Sequence, residues 1–476
     1  MNGGSMTTLS RISMAAVAAL IVGMGPASAA DLGGNCCADL EERVAELEAT
    51  TARKGTRKVS VTISGQISQQ LMFWDDGIQK DMYISGPAQS NSRWRITGSA
   101  KISPAVSAGF IYEFEAFRSG STSQNQSNGP GPGNTVGSSF PVSRDVGDDG
   151  GASSANLREA MAWIEHERLG RVSLGAGSSA ANNIILVDLS GKGMAASNDV
   201  RLMNSGFRVR TVNNISGGAN PYATVGNRTW ANFFQGGQDW LNERNQHIQY
   251  RTPTIAGFTL GASFGEDNYW DVALRYAGEF NGVRVAAGIG YSVRSEYNAT
   301  AIATGLNGAT SFAAGGGGFI CTINCEKEVK QLAGSASIRH MPTGLFFTGA
   351  AGQRDDNNFD TFSTTTGLVT STRSFDSSFY YLSGGVARNF FGIGDTVIFG
   401  EYSQWKGMGK EYLAAGGDST VDHWGIGILQ NVDAAAMEFW LTYKNYSLSA
   451  ADFCNAGGRG GCRDLDYVLA GTRIRF

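Results

Sequence analysis

No run in this 476-residue chain approaches 18 uninterrupted apolar residues, so nothing in it can cross a bilayer as a helix. Proline is scarce, with 9 residues, and the 65 glycines follow no triplet period, which excludes a collagen-like fibre. Histidine is scarcer: His166, His247, His340 and His423 are the whole set, and His166 and His340 fall at short turns without a serine or aspartate motif nearby. That leaves little from which to build a nucleophile and its base. P-loop, dinucleotide and zinc signatures are missing too, so the chain is expected to be no enzyme and to hold no cofactor or metal. A net charge of −4 supplies no basic surface for nucleic acid.

What the chain has is period two. From Lys58 to Phe73, Val59, Val61, Ile63, Ile67 and Leu71 alternate with Ser60, Thr62, Ser64, Gln66, Ser68 and Gln70. Such a strand has one face in oil and one in water. Sixteen strand-like segments follow this pattern: 58–73, 90–102, 105–118, 155–167, 170–178, 246–253, 257–266, 268–280, 283–294, 327–341, 344–353, 377–390, 395–405, 419–431, 435–447 and 464–476. Ser103-Pro104 makes a tight turn before a Gly/Ser/Asn/Pro-rich loop over 119–154, and the turn at 166–170 precedes a longer loop over 179–245.

Alternating short and long connections suit a closed antiparallel barrel with short periplasmic turns and long outer loops. The faces agree. Trp94 and Ile96 oppose Arg93, Arg95 and Thr97; Val272, Leu274 and Tyr276 oppose Asp271 and Arg275. Arginine and glutamate would be costly in a dry sandwich core unless paired, whereas a water-filled lumen accepts them. Trp74, Tyr112, Tyr269, Trp270, Tyr380, Tyr381, Trp405, Trp424 and Trp440 lie near segment ends, where an interfacial girdle belongs. The last segment alternates up to Phe476, with Val468, Ala470 and Ile474 toward lipid and Tyr467, Arg473 and Arg475 toward the lumen.

The expected architecture is therefore all-β: a closed antiparallel 16-stranded transmembrane β-barrel over 57–476. Ahead of it, Arg11, the apolar run Met14–Met24 and Ala27-Ser28-Ala29 read as a signal peptide over 1–29. Residues 30–56 form a periplasmic leader. Within it Leu40, Val44 and Leu47 give 39–51 the stripe of a short helix, either an amphipathic leader or a short coiled coil between chains. Six cysteines fit an oxidising compartment, and Cys321/Cys325 and Cys454/Cys462 are each placed to close a small loop as disulfides. Cys36 and Cys37 are adjacent, and adjacent cysteines rarely bridge each other.

Four stretches together resemble the alphaproteobacterial porins of the trimeric sixteen-stranded class: the leader Cys36–Glu48, the first strand KVSVTISGQI, the turn Tyr250–Phe258, and the terminal Phe476. The resemblance implies a homotrimer embedded in outer-membrane lipid and lipopolysaccharide. It also implies a water-filled channel for passive diffusion of small hydrophilic solutes and ions, narrowed by the third outer loop, here about 179–245. Loop carboxylates would face wall arginines across the pore: Asp188 and Asp199 against Arg93 and Arg95. Glu113, Glu115, Arg275 and Arg473 are further charges of the lumen. A solute-specific channel with a saturable site is the alternative.

Overall fold

The structure is a computed structural model describing residues 59–115, 126, 156–199, 206–212, 229–234, 240–241, 244–266, 268–297, 326–362, 369–408, 417–455 and 460–476. The expected signal peptide, the expected leader with its 39–51 helix, Cys36, Cys37, Cys321 and Cys325 lie outside these residues. The alternating segments pair edge to edge into one antiparallel sheet. In chain order they are β1 (Ser60–Asp75), β2 (Lys80–Ser85), β3 (Arg93–Ser103), β4 (Val106–Glu115), β5 (Asn156–His166), β6 (Gly170–Ser178), β7 (Arg244–Arg251), β8 (Phe258–Gly265) and β9 (Trp270–Phe280). They continue as β10 (Val283–Tyr297), β11 (Glu326–His340), β12 (Leu345–Phe362), β13 (Val369–Arg388), β14 (Thr396–Lys406), β15 (Thr420–Val432), β16 (Met437–Ser449) and β17 (Leu465–Arg475).

β17 pairs with β1, from Gln66 opposite Arg475 to Asp75 opposite Asp466, so the sheet closes. The 17 segments fill sixteen positions because β2 and β3 share one. β2 pairs with Gln70–Asp75 of β1, and β3 pairs with Ser60–Gln66. The strand expected over 90–102 is β3, and residues 80–85, outside every expected segment, add β2 beside the same strand. Gly86-Pro87 causes the break, because proline has no N–H for the ladder.

Closure depends on a glycine. Gly65 and Phe476 exchange backbone hydrogen bonds of 2.8 and 3.0 Å. A Cβ at Gly65 would come within 2.5 Å of the Phe476 ring, so the terminal ring lies where only a bare backbone admits it.

The oily faces point outward as the alternation predicts: Ile63, Ile67, Leu174, Leu260, Phe264, Ile289, Phe347 and Ile426 are all exposed. Nine to eleven tilted residues suffice to cross a bilayer. β12, with 18 residues, and β13, with 20, therefore stand well beyond it at the long-loop rim. Both run past the expected 344–353 and 377–390 at that end.

The expected girdle divides in two. Tyr112, Trp270, Tyr380 and Trp424 are exposed outside, the last three beside Tyr291, Tyr402 and Tyr443 respectively. Trp74, Tyr269, Tyr381, Trp405 and Trp440 are buried inside the barrel instead. Strand parity decides this: Trp74 shares the face of Ser68 and Gln70, and Trp405 that of Ser403, so neither can reach lipid.

Candidate functional site

The inner wall has two halves. From β16 through β17 and β1 to β7 runs a band of charge. Arg93 and Arg95 on β3 stand opposite Glu115 and Glu113 on β4. Glu113 holds three guanidinium groups: Arg93 at 3.2 Å, Arg158 at 2.9 Å, and Arg95 through its Nε at 2.7 Å. Its side chain is 2% exposed, and only such saturation makes a buried carboxylate tolerable. Arg158 also pairs with Glu115. On the other side of β1, Glu438 receives Arg473 and, at 2.7 Å, Arg475. Arg244 on β7 approaches Glu159 at 4.0 Å.

Sequence reading missed Arg158, and a bulge explains why. Glu113 pairs with Glu159 and Phe114 with Leu157, which leaves Arg158 as the unpaired extra residue. The bulge lets adjacent Arg158 and Glu159 both reach the lumen, which a regular strand forbids. Two successive charged residues between outward Leu157 and Ala160 were the available signal.

The opposite half is covered by the long connection after β6. Ser179 to Asp199 lies along the inner faces of β8 to β12, held by their side chains. Ser263 accepts from the Ala180 N–H at 2.7 Å, and Asp271 from that of Ala181 at 2.8 Å. Arg275 donates to the carbonyls of Ala180 and Asn182 at 2.6 and 2.7 Å. Ser335 and Ser337 accept from Val187 and Leu189 at 3.2 and 3.0 Å. Serines that alternation alone would assign to water here replace water for a loop backbone. Gly288 makes room: a Cβ there would lie 2.5 Å from Ile184.

Further along, Phe207 packs on Trp74 and Tyr467, Phe234 on Trp405 and Tyr446, and Trp240 on Phe379, with ring centroids 4.7–5.7 Å apart. Arg210 pairs with Asp76 at 2.8 Å, both almost wholly buried. The Cys454–Cys462 disulfide forms, and Thr211 bridges to Cys462. Beneath this layer Glu401 is fully buried with Lys444, the Tyr381 hydroxyl at 2.6 Å, and His423 at 3.5 Å.

The charges named from sequence therefore separate. Arg93, Arg95, Glu113, Glu115 and Arg473 come together on the charged wall, while Arg275 anchors the loop from β9. Asp188 accepts from Thr348 at 3.2 Å and pairs with Lys192 at 3.3 Å. Burial pushes its carboxyl up, but Lys192 and the Ser190 hydrogen bonds outweigh this and hold it below the ordinary carboxylate range. Asp199, further along the same segment, is buried. Of the other loop charges, Arg201, Arg228, Asp239 and Glu243 lie outside the described residues.

A closed barrel with an oily outside, a charged inner band and an in-folded loop defines an outer-membrane type of transmembrane protein. The model of the Gram-negative porin family matches residues 15–451, and the chain belongs to that family. Membership and fold place it in the outer membrane of a Gram-negative cell. No curated protein matches the sequence. An anion-selective porin from Comamonas acidovorans is 16% identical, covering 88% of this chain and 100% of its own, with a TM-score of 0.51. OmpT of Vibrio cholerae in its trimer form (11% identical, 88% and 100% covered) superposes with a TM-score of 0.47. The outer membrane channel DcaP of Acinetobacter baumannii (9%, 90% and 100%) gives 0.49. At 16% identity the likeness to the Comamonas porin is one of fold.

Proposed function

We propose that the protein is a passive, water-filled channel for small hydrophilic solutes and ions, of the alphaproteobacterial porin type, working as a homotrimer in lipid and lipopolysaccharide. Residues 1–29 are its signal peptide and 30–56 its periplasmic leader. The segments 179–199, 206–212, 229–234 and 240–241 narrow the lumen, and passage follows the charged band. The carrying observation is the charged band: Arg93, Arg95, Arg158, Arg244, Arg473 and Arg475 against Glu113, Glu115, Glu159 and Glu438, with Arg95 and Arg475 about half exposed. Arginine is in excess there, so the channel prefers anions. Asp188 and Asp199 form the loop side of the constriction, where Lys192 offsets Asp188 and leaves the arginines dominant.

Planar-bilayer recording of the purified protein tests this. Three coupled conductance steps support a trimer of open pores, and silence refutes the channel. In a salt gradient, Arg93→Ala/Arg95→Ala moves the reversal potential toward cation preference. Unchanged selectivity and conductance would remove the arginines from the selectivity site. Saturable block by one solute would favour the solute-specific form of the channel.

A further inference from the structure

The break between β2 and β3 does more than interrupt a strand. Ser85 pairs with Gln70 and Arg93 with Gln66, so seven residues, 86–92, stand beside only three of β1. The surplus folds into the lumen as a short turn at Ala88–Ser90. Gln66, on the inward face of β1, fastens it by donating to the Ser90 carbonyl, the Ser90 hydroxyl and the Asn91 carbonyl at 3.2, 2.8 and 2.8 Å. Ser92 replaces the missing ladder partner, accepting from the Ser68 N–H at 3.0 Å.

Two contacts give the turn a role in the pore. Gln89 donates to the carbonyl of Met194 at 2.8 Å, so the turn reaches the in-folded loop. Ser90 Oγ accepts from Arg93 Nη2 at 2.7 Å and from Arg473 Nη1 at 2.9 Å. These guanidinium groups come from β3 and β17, the strands on either side of β1, and they repel each other. An acceptor between them sets their separation, and because it is a neutral hydroxyl it leaves their charge in place. A carboxylate at that point would hold them as well and cancel part of the field.

We infer that the 86–92 turn is a second constriction element, with Ser90 positioning the Arg93/Arg473 pair as the channel's anion step and Gln89 coupling it to the loop. The inference rests on the channel reading above. Its test uses the full-length protein in a planar bilayer under a potassium chloride gradient, comparing wild type with Ser90→Ala, Ser90→Thr and Gln66→Leu. None of these changes the charge. Ser90→Ala and Gln66→Leu are expected to lower the anion-to-cation permeability ratio about twofold and to add open-state flicker, while Ser90→Thr, which keeps the hydroxyl, stays near wild type. Gln66→Leu releases the turn by a different contact, so a folding failure of one variant leaves the other decisive.

A purely structural turn would lower the thermal resistance of the barrel in both variants and leave the reversal potential unmoved, which would overturn the inference. A wild type that conducts without anion preference would overturn the arginine assignment first. A wild type that does not conduct would refute the channel itself.

Discussion

The two halves of the inner wall start from the same alternation and end in opposite physical states. On β3 to β5, at Glu438 of β16 and on β17, arginine and glutamate match across strands and are partly open. On β8 to β15 the inward residues are largely serines and aromatic rings, with charges such as Asp271 and Arg275 tied to the loop and Glu401 buried with Lys444. Polarity of the individual inward residues does not separate these halves, since Ser68 and Ser337 are both buried serines on inward faces. What separates them is whether a second piece of protein supplies the partners. Where it does, an inner wall behaves as a protein core; where it does not, it behaves as a charged surface.

The largest test of the covered half is its ionic cluster. Glu401→Ala strands Lys444 without its carboxylate in a fully buried site, and the loss should be about 3–5 kcal/mol. The temperature at which the folded barrel converts to the unfolded form on a gel should fall clearly. Glu401→Ala/Lys444→Met should recover more than half of that fall, since the stranded charge is gone. No fall in the single variant would mean that water reaches this site.

Trp240→Ala attacks the same half from the loop side. Trp240 is fully buried against Phe379 and Trp405, and large-to-small changes of this kind cost about 3–5 kcal/mol in an intact core. Here the cost falls on loop docking, so single-channel conductance should rise and protease should cut the loop faster. If both stay at wild-type values, the loop does not limit the pore.

A smaller effect is expected from Ser335→Ala/Ser337→Ala, which removes acceptors for the Val187 and Leu189 N–H groups. Each lost hydrogen bond is worth about 1 kcal/mol. Conductance should become noisier with little change in its mean, and open-state noise equal to wild type would argue that the remaining anchors suffice.

Acid gives the smallest change. The folded-state pKa of Asp188 lies below its ordinary value, so its contribution to loop docking is fully present above that ordinary value and is lost as pH falls through the folded one. Conductance should therefore hold constant from neutral pH to about pH 4 and change only below it, and Asp188→Asn should abolish that acid step. A step near neutrality would point to another group.

Much of the architecture was legible in the chain. Val59, Ile63 and Ile67 against Ser60, Ser64 and Ser68 state the two faces of β1, and the run to Phe476 states where the ring closes. The girdle was misread at Trp74, Tyr381 and Trp405 because nearness to a segment end was weighed above parity, which already placed them inside. β2 was missed because Lys80-Asp81 opens it and six residues carry little periodicity. Arg158 was missed because a bulge breaks the rule that alternation relies on. The loop anchors had no signal at all, since an inward serine has the same sequence pattern whether it meets water or a backbone N–H.

By itself, the sequence determined that this is a closed barrel with oil outside, because side-chain alternation in a strand is a local property. Tertiary structure alone decided which part of the interior stays open. That depends on where one long connection lies down, on which side chains meet it, and on a turn at 86–92 that brings two arginines from different strands to one hydroxyl. The wall residues that anchor the loop lie 83 to 160 positions from their partners, and Arg473 lies 383 from Ser90, so no local pattern records these partnerships.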